Sequence, residues 1–326
     1  MQAYQTGDGA TNYILNKNKQ KKQQFTNNKQ KRDMYEKVNL SHPDKVADRI
    51  AGALVDYCYQ QQRDPRVAVE VLIGHGETTI IAESSVQIPY EQAVQTVERI
   101  AGKQEKVRLM CVPQDPILAH NQDNGMRVAD NGIFRGVPPT HEQKLLTAIA
   151  ASIYDRHPFD GKYIIQGKGR LAAPEFDVTI CQSHLSREQE PELREHLKNA
   201  YGIHLPTINP LGEWTGGPMT DTGATNRKLG SDMGDAVTGG GLHGKDLSKA
   251  DVSVNIVCHL KAVASGQVVT AICSIGDEYV TFTYADGTQE TERFADIVEQ
   301  ARLYILTDCQ GSFETFSEWG LIRPKP

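Results

Sequence analysis

The run Gly239-Gly240-Gly241-Leu242-His243-Gly244-Lys245-Asp246-Leu247-Ser248-Lys249-Ala250-Asp251 is the segment whose residue types speak most directly of chemistry. Glycines allow a turn to bring backbone N–H groups close to an anion. Two lysines four residues apart, Lys245 and Lys249, fall on one face of a helix expected to start near Asp246. A glycine turn at a helix N-terminus, two cations and the Asp251 carboxylate suit a polyphosphate with its metal. For this segment alone the competing reading is a surface turn and a solvated helix. A P-loop shares the glycine and lysine spacing, but Asp246 stands where that motif needs a Ser or Thr hydroxyl for magnesium. Nor is Ser231-Asp232-Met233-Gly234-Asp235 a buried strand, so the P-loop reading fails.

Other polar motifs precede this block: His42-Pro43-Asp44-Lys45, Glu70, Glu83, Gln114, Asp130-Asn131-Gly132, Asp160-Gly161-Lys162, Gly216-Gly217-Pro218, Asp221 and Arg227-Lys228. Cations and carboxylates in such numbers are what a triphosphate, divalent metals and a zwitterionic amino acid need together.

The elements that must position them follow from pattern. Pro43 and Asp44 open a helix in which Val46, Ile50, Leu54 and Cys58 form the core stripe. Arg66 to Ile73 alternates as a strand with Glu70 on the face opposite Val67, Val69, Val71 and Ile73. Strands are expected over Glu77–Ile88, Val107–Val112, Phe176–Ser183 and Val268–Ile275. Helices are expected over Tyr90–Ala101, His141–Asp155, Ser186–Ala200, Asp246–Ala264 and Glu292–Ile305, with a hairpin turn at Asp286-Gly287. Gln114–Pro139 reads as a long functional loop, and the ten glycines from Gly212 to Gly244 as irregular chain. Interleaved strands and helices make this an α+β fold. The divisions are a tail (1–34), an N-terminal subdomain (35–114), a lid loop and central subdomain (115–215) and a C-terminal subdomain (216–326).

Bulk properties narrow the class. The net charge of −6 hides a basic stretch, Lys17 to Arg32, holding seven Lys or Arg, no acid, and seven Asn or Gln. It buries too little apolar surface to offset ordering, so a disordered basic tail is expected, a solubilising extension in preference to a nucleic-acid arm. Six scattered cysteines with no CxxC pair argue for reduced thiols in a cytoplasmic protein and against a zinc ribbon. No apolar run reaches membrane-spanning length.

Taken in order, the His-Pro-Asp-Lys helix start, the Asp160-x-Lys162 pair, Gly216-Gly217-Pro218 leading to Asp221 and Arg227-Lys228, and the GKDxxKxD block strongly resemble S-adenosylmethionine synthetases. The resemblance runs from His42 to Asp251, then weakly to Trp319-Gly320. It implies three similar α/β-layered subdomains and transfer of the adenosyl group of ATP to L-methionine, with release of phosphate and diphosphate. It implies that His42, Lys162, Arg227 and Lys245 are catalytic, with His42 beside the oxygen leaving C5′. ATP contacts carried over are His42, Asp130, Asp160, Lys162, Trp214, Asp221, Arg227, Lys228 and Lys245. Methionine contacts are Glu83, Gln114, Asp221 and Lys249. Asp44 and Asp251 match Mg2+ ligands, two ions being expected, and Glu70 a K+ ligand. The implied assembly is a homodimer with shared active sites, extending to a dimer of dimers.

Two assignments have rivals. Glu77 in Gly76-Glu77-Thr78-Thr79 imitates the family's glutamate, but Glu83 needs no gap from Arg66 through Glu70; Trp214 is equally suited to a core. The chain also departs from the family at Leu40-Ser41, Gly74-His75, Asn131 and Thr222, and in shortened loops. A catalytically silent nucleotide-binding relative, or a partner subunit of a synthetase, is the alternative to an active enzyme.

Overall fold

In a computed structural model, residues 34–121, 125–167 and 176–324 are described; the expected disordered tail lies outside them except for Met34, which opens a strand. Strand β1 (Met34–Val38) leads into helix α1 (Pro43–Gln61), followed by β2 (Val67–Gly74), β3 (Glu77–Ser84), α2 (Tyr90–Ala101) and β4 (Lys106–Val112). Then come α3 (Pro116–Asn121), β5 (Gly132–Gly136), α4 (His141–Tyr154), β6 (Gly161–Gln166), β7 (Asp177–Gln182), α5 (Glu190–Tyr201) and β8 (Thr207–Ile208). The remainder comprises β9 (Thr222–Ala224), α6 (Leu229–Met233), α7 (Ala250–Ser265), β10 (Val269–Cys273), β11 (Tyr279–Tyr284), β12 (Gln289–Arg293), α8 (Phe294–Asp308) and α9 (Phe313–Trp319).

These strands form three four-stranded sheets, ordered β1-β6-β7-β8, β4-β3-β2-β9 and β12-β11-β10-β5. The α+β class expected from sequence is what the chain adopts. Each sheet draws strands from across the sequence divisions: β9 pairs with β2, Gly74 opposite Thr222, and β5 with β10, Phe134 opposite Ala271. One apolar core joins α1, β2, α7 and α8 through residues such as Ile50, Val71, Val254 and Val298. A second gathers α4, β6 and α5 around Ile149, Tyr163 and Leu197.

Several local expectations need correction. Gln114–Pro139 is not one loop, because it carries α3 and β5; the isolated β5 has too few residues to show a period of two without its partner β10. The helix expected from Asp246 begins at Ala250. Asp246 turns its carboxylate back onto the N–H groups of Val67 and Ser248 at 2.7 Å each, holding the chain in a turn. Lys245 therefore precedes the helix and Lys249 caps it, so the two lysines do not share a helical face. The Glu77–Ile88 strand stops at Ser84 and the Ser186–Ala200 helix starts at Glu190. Within Gly212–Gly244 the chain forms β9 and α6.

A buried charge network ties these segments together. Lys45, fully enclosed in α1, places its ammonium 2.7 Å from Asp232 and 3.1 Å from Asp48. His243 Nε2 lies 2.8 Å from the same Asp232 oxygen, and Asp48 accepts the N–H of Asn226 at 2.7 Å. The cations hold the Asp232 carboxyl well below the usual range despite its burial, while the two carboxylates raise the Lys45 ammonium above its ordinary value. Removing one member of such a set strands an uncompensated charge, at about 3–5 kcal/mol. Asp232→Ala is accordingly expected to lower unfolding free energy by about that amount in chemical denaturation. A loss under ~1 kcal/mol, the range of a surface pair, would show that the network is not structural.

Candidate active site

Two sets of charged residues gather, one at each of two helix N-termini. The first surrounds the start of α1. His42 caps the helix, its Nδ1 accepting the Asp44 N–H at 3.2 Å. Because Nδ1 is the acceptor, the proton of a neutral imidazole resides on Nε2, free to donate outward. Burial lowers the His42 pKa to about 4, so the ring is neutral at pH 7. Capping and a donor role are thus compatible in one side chain.

Asp44, in the first turn, accepts the Ala224 N–H at 2.9 Å, and the Arg227 and Lys228 cations lie 3.5 and 3.6 Å from it. Its Oδ2 has the Lys228 ammonium at 3.6 Å and the neutral His42 ring at 3.8 Å, leaving a hard oxygen donor beside two cations. Asp160 sits nearby, buried, accepting the Gly217 N–H at 3.0 Å. Burial pushes its pKa up to about 6, with Asp221 and Asp44 adding to the rise. Lys162, two residues on and within β6, pairs with Glu36 at 3.0 Å. Trp214 is half-buried, its indole N–H bonded to Asn209 at 3.3 Å. A Cβ on Gly216 would come within 2.7 Å of both the indole and Asp160, so the two flank that glycine.

The second set surrounds the start of α7. Lys245 pairs with Asp251 at 2.5 Å, and Asp130 accepts the Ala250 N–H at 2.6 Å. Burial, then the neighbouring Asp251 charge, pushes Asp130 up to about 6. Lys249 lies 3.6 Å from Asp246. The glycines here serve close packing: a Cβ on Gly240 would strike Asp251 at 1.8 Å, and one on Gly244, at φ +79°, the Val69 carbonyl at 2.2 Å. The latter approach lets Gly244 accept the Val69 N–H at 2.7 Å and sets Lys245 opposite Ala68 in an antiparallel bridge. Bridge partners point to one face, which places Lys245 with Ala68 on the outer face of the β2 sheet.

That outer face carries Glu70 and Glu83. Glu70 accepts a short hydrogen bond from the Thr225 hydroxyl, and Glu83 is exposed opposite Ala68. Gln114 follows Val112, the β4 partner of Glu83, so both stand at one end of the sheet. The Gln114 Oε1 is buried with no hydrogen-bond partner, as a group awaiting a ligand donor would be. Between the two sets, among the described residues, no hydrogen bond or ion pair runs directly.

Asp48, Asp232 and His243 lie close enough to hold a metal ion. The Lys45 ammonium already stands among them, 2.7 Å from Asp232 and 3.5 Å from His243, so this cluster is neutralised from within. Asp44 and Asp251 fit Mg2+ better. Each offers carboxylate oxygen beside cations that attract phosphate, and Mg2+ is commonly held by one or two carboxylates plus substrate phosphates. Sequence reasoning gave no structural role to Lys45, Asp48, Asn226, Asp232 or His243. The one signal available was the Lys45–Asp48 spacing within α1, an i,i+3 pair.

With this geometry in hand, comparison with known proteins is informative. A family model described as the S-adenosylmethionine synthetase N-terminal domain matches residues 33–115. The S-adenosylmethionine synthase of Helicobacter pylori strain P12 is 28% identical over 323 residues, covering 83% of this chain and 80% of the relative. That of Salinibacter ruber is 27% identical over 304 residues, 78% of each. Among solved structures, an unusual S-adenosylmethionine synthetase from Campylobacter jejuni aligns over 90% of both chains with a TM-score of 0.61 at 18% identity, a likeness of fold. Matched motifs, relatives aligned over most of their length and a shared architecture agree in making this chain similar to S-adenosylmethionine synthetases.

Proposed function

We propose that this chain is a methionine adenosyltransferase, joining the sulfur of L-methionine to C5′ of ATP with release of phosphate and diphosphate. The observation that carries the reading is the pair of helix N-termini, each bearing a first-turn aspartate, Asp44 or Asp251, with lysine or arginine against it. A thioether is a neutral nucleophile, so the reaction needs no general base. It needs in-line positioning and stabilisation of a tripolyphosphate leaving group.

In this reading the His42 Nε2–H donates to the oxygen leaving C5′. Lys162, Arg227, Lys228 and Lys245 take up its developing charge, and Asp160 accepts ribose hydroxyls beside Trp214, which stacks on the base. Asp130 supports the Lys245–Asp251 pair at the α7 N-terminus and Asp221 contacts both substrates. Glu83, Gln114 and Lys249 hold methionine. Asp44 and Asp251 would each hold a Mg2+ and Glu70 a K+. Bound Mg2+ supplies charge neutralisation of the polyphosphate, including its later cleavage. The six cysteines are free thiols, and no helix among the described residues is long and apolar enough to cross a membrane; both agree with a cytoplasmic site of action.

We further propose a homodimer with shared sites. Leu72, Ile81 and Met110 on the outer face of the β2 sheet are each about half exposed, and Ile133 and Ile272 on the β5–β10 pair more so. Exposed apolar sheet faces beside a charge constellation are suited to cover by a second copy of the chain.

The direct test is incubation with ATP, methionine and Mg2+, scoring S-adenosylmethionine by mass; no product would leave the silent-relative alternative standing. Lys245→Met is expected to cut turnover about 10²–10³-fold with methionine KM unchanged, since the charge matters most as the leaving group forms. A variant with wild-type turnover removes Lys245 from the chemistry. For pH, Asp160 protonates as pH falls through about 6 and loses its acceptor charge. The KM for ATP should therefore rise below that pH, by up to about tenfold per unit, and Asp160→Asn should flatten the profile. A wild-type profile as flat as the variant's removes Asp160 from ATP binding. Mixing Asp44→Asn chains with Lys245→Met chains should restore part of the activity if the two residues serve one site from different chains. An active protein that is monomeric in solution refutes sharing.

A further inference from the structure

The Arg227-Lys228 turn and the glycine-rich Gly239–Lys249 segment are both irregular, yet each presents cations that must stand at fixed positions. One side chain bridges them. The Asn226 carboxamide accepts the His243 N–H at 2.9 Å and donates to the His243 carbonyl at 3.2 Å, pairing with both main-chain groups of one residue as a neighbouring strand would. Asn226 adopts φ +63°, a left-handed conformation that asparagine tolerates better than most residues. Its own N–H is fixed to Asp48 on α1 at 2.7 Å.

These bonds close a ring. Asn226 holds His243, the His243 imidazole meets Asp232, Asp232 meets the Lys45 ammonium, Lys45 meets Asp48, and Asp48 holds Asn226. Arg227 follows Asn226 directly and Lys245 comes two residues after His243. Gly241 lies against the carboxamide, where an added Cβ would meet Asn226 Nδ2 at 2.7 Å and Cγ at 2.8 Å.

We propose that Asn226 is a positioning residue that fixes the Arg227-Lys228 and Lys245 cation groups of each chain relative to one another, for use on a polyphosphate. The proposal rests on the reading of the site given above. Where the sites are shared between two chains, the same clamp sets the spacing of the half-sites that each chain contributes, so both sites depend on it.

The test uses Asn226→Gly, because glycine accepts φ +63° without strain and only the carboxamide bonds are lost. With inorganic tripolyphosphate as probe, its Kd by calorimetry should rise roughly tenfold and turnover fall by up to ~10²-fold, with methionine KM unchanged. Gly241→Ala supplies an independent variant: it keeps Asn226 but pushes the carboxamide aside, and should weaken tripolyphosphate binding in the same direction. In the Asn226→Gly background Gly241→Ala should cost little more, the clash partner being absent. Unchanged tripolyphosphate affinity in both single variants overturns the proposal, as does parallel loss of tripolyphosphate and methionine affinity, which is what general loosening of the fold produces. If the wild-type chain makes no S-adenosylmethionine, the functional reading falls. The tripolyphosphate titration still tests the clamp.

Discussion

The Lys45 ammonium is the constraint on which the rest of the structure hangs. It is fully buried, and a charge so placed survives only if carboxylates converge on it. Asp48 comes from the same helix, but Asp232 comes from α6, and His243 joins through Asp232. Meeting that requirement brings the 226–232 and 243–251 segments onto the first two turns of α1. Those segments carry most of the cations of the candidate site, so a structural need of one lysine places the chemistry.

Such a network is an expensive way to join segments, since taking several charges out of water offsets much of their mutual attraction. What it provides beyond attraction is direction. Apolar contacts tolerate sliding, whereas an ion pair backed by hydrogen bonds selects one register. The Gly239–Gly244 run, with little side-chain volume of its own, gains its geometry this way. Its glycines are required where Asp251, Asn226 and the Val69 carbonyl come too close for a Cβ. Lys37 acts similarly at β1, donating to the carbonyls of Ser231, Trp319 and Ile322, with burial lowering its pKa to about 7.

The two charge sets are built alike. In each, a helix N-terminus favours a first-turn carboxylate, and that carboxylate gathers lysine or arginine. The positive helix ends and the cations together attract phosphate, while the carboxylates keep the free protein from repelling itself. His42 belongs to the same economy of parts: the nitrogen that caps α1 determines which nitrogen carries the proton available to a ligand.

What the sequence by itself determined is whatever depends on residues near in chain order. The α1 stripe of Val46, Ile50, Leu54 and Cys58 and the alternation placing Glu70 opposite Val69 and Val71 repeat locally, and the folded chain keeps both. The motifs around His42, Asp160, Arg227 and Lys245 were legible for the same reason, residue types at short fixed spacing. Only the tertiary structure decided features whose partners are distant in sequence. Strand β5 is a strand because β10 lies beside it, and β1 and β6 pair across more than a hundred residues. Asp246 keeps the helix from starting at its own position by bonding to Val67, 179 positions away. Lys45 and Asp232, separated by 187, carry no mutual signal in the sequence, because a long-range ion pair is set by the path of the backbone between its members and not by any local periodicity.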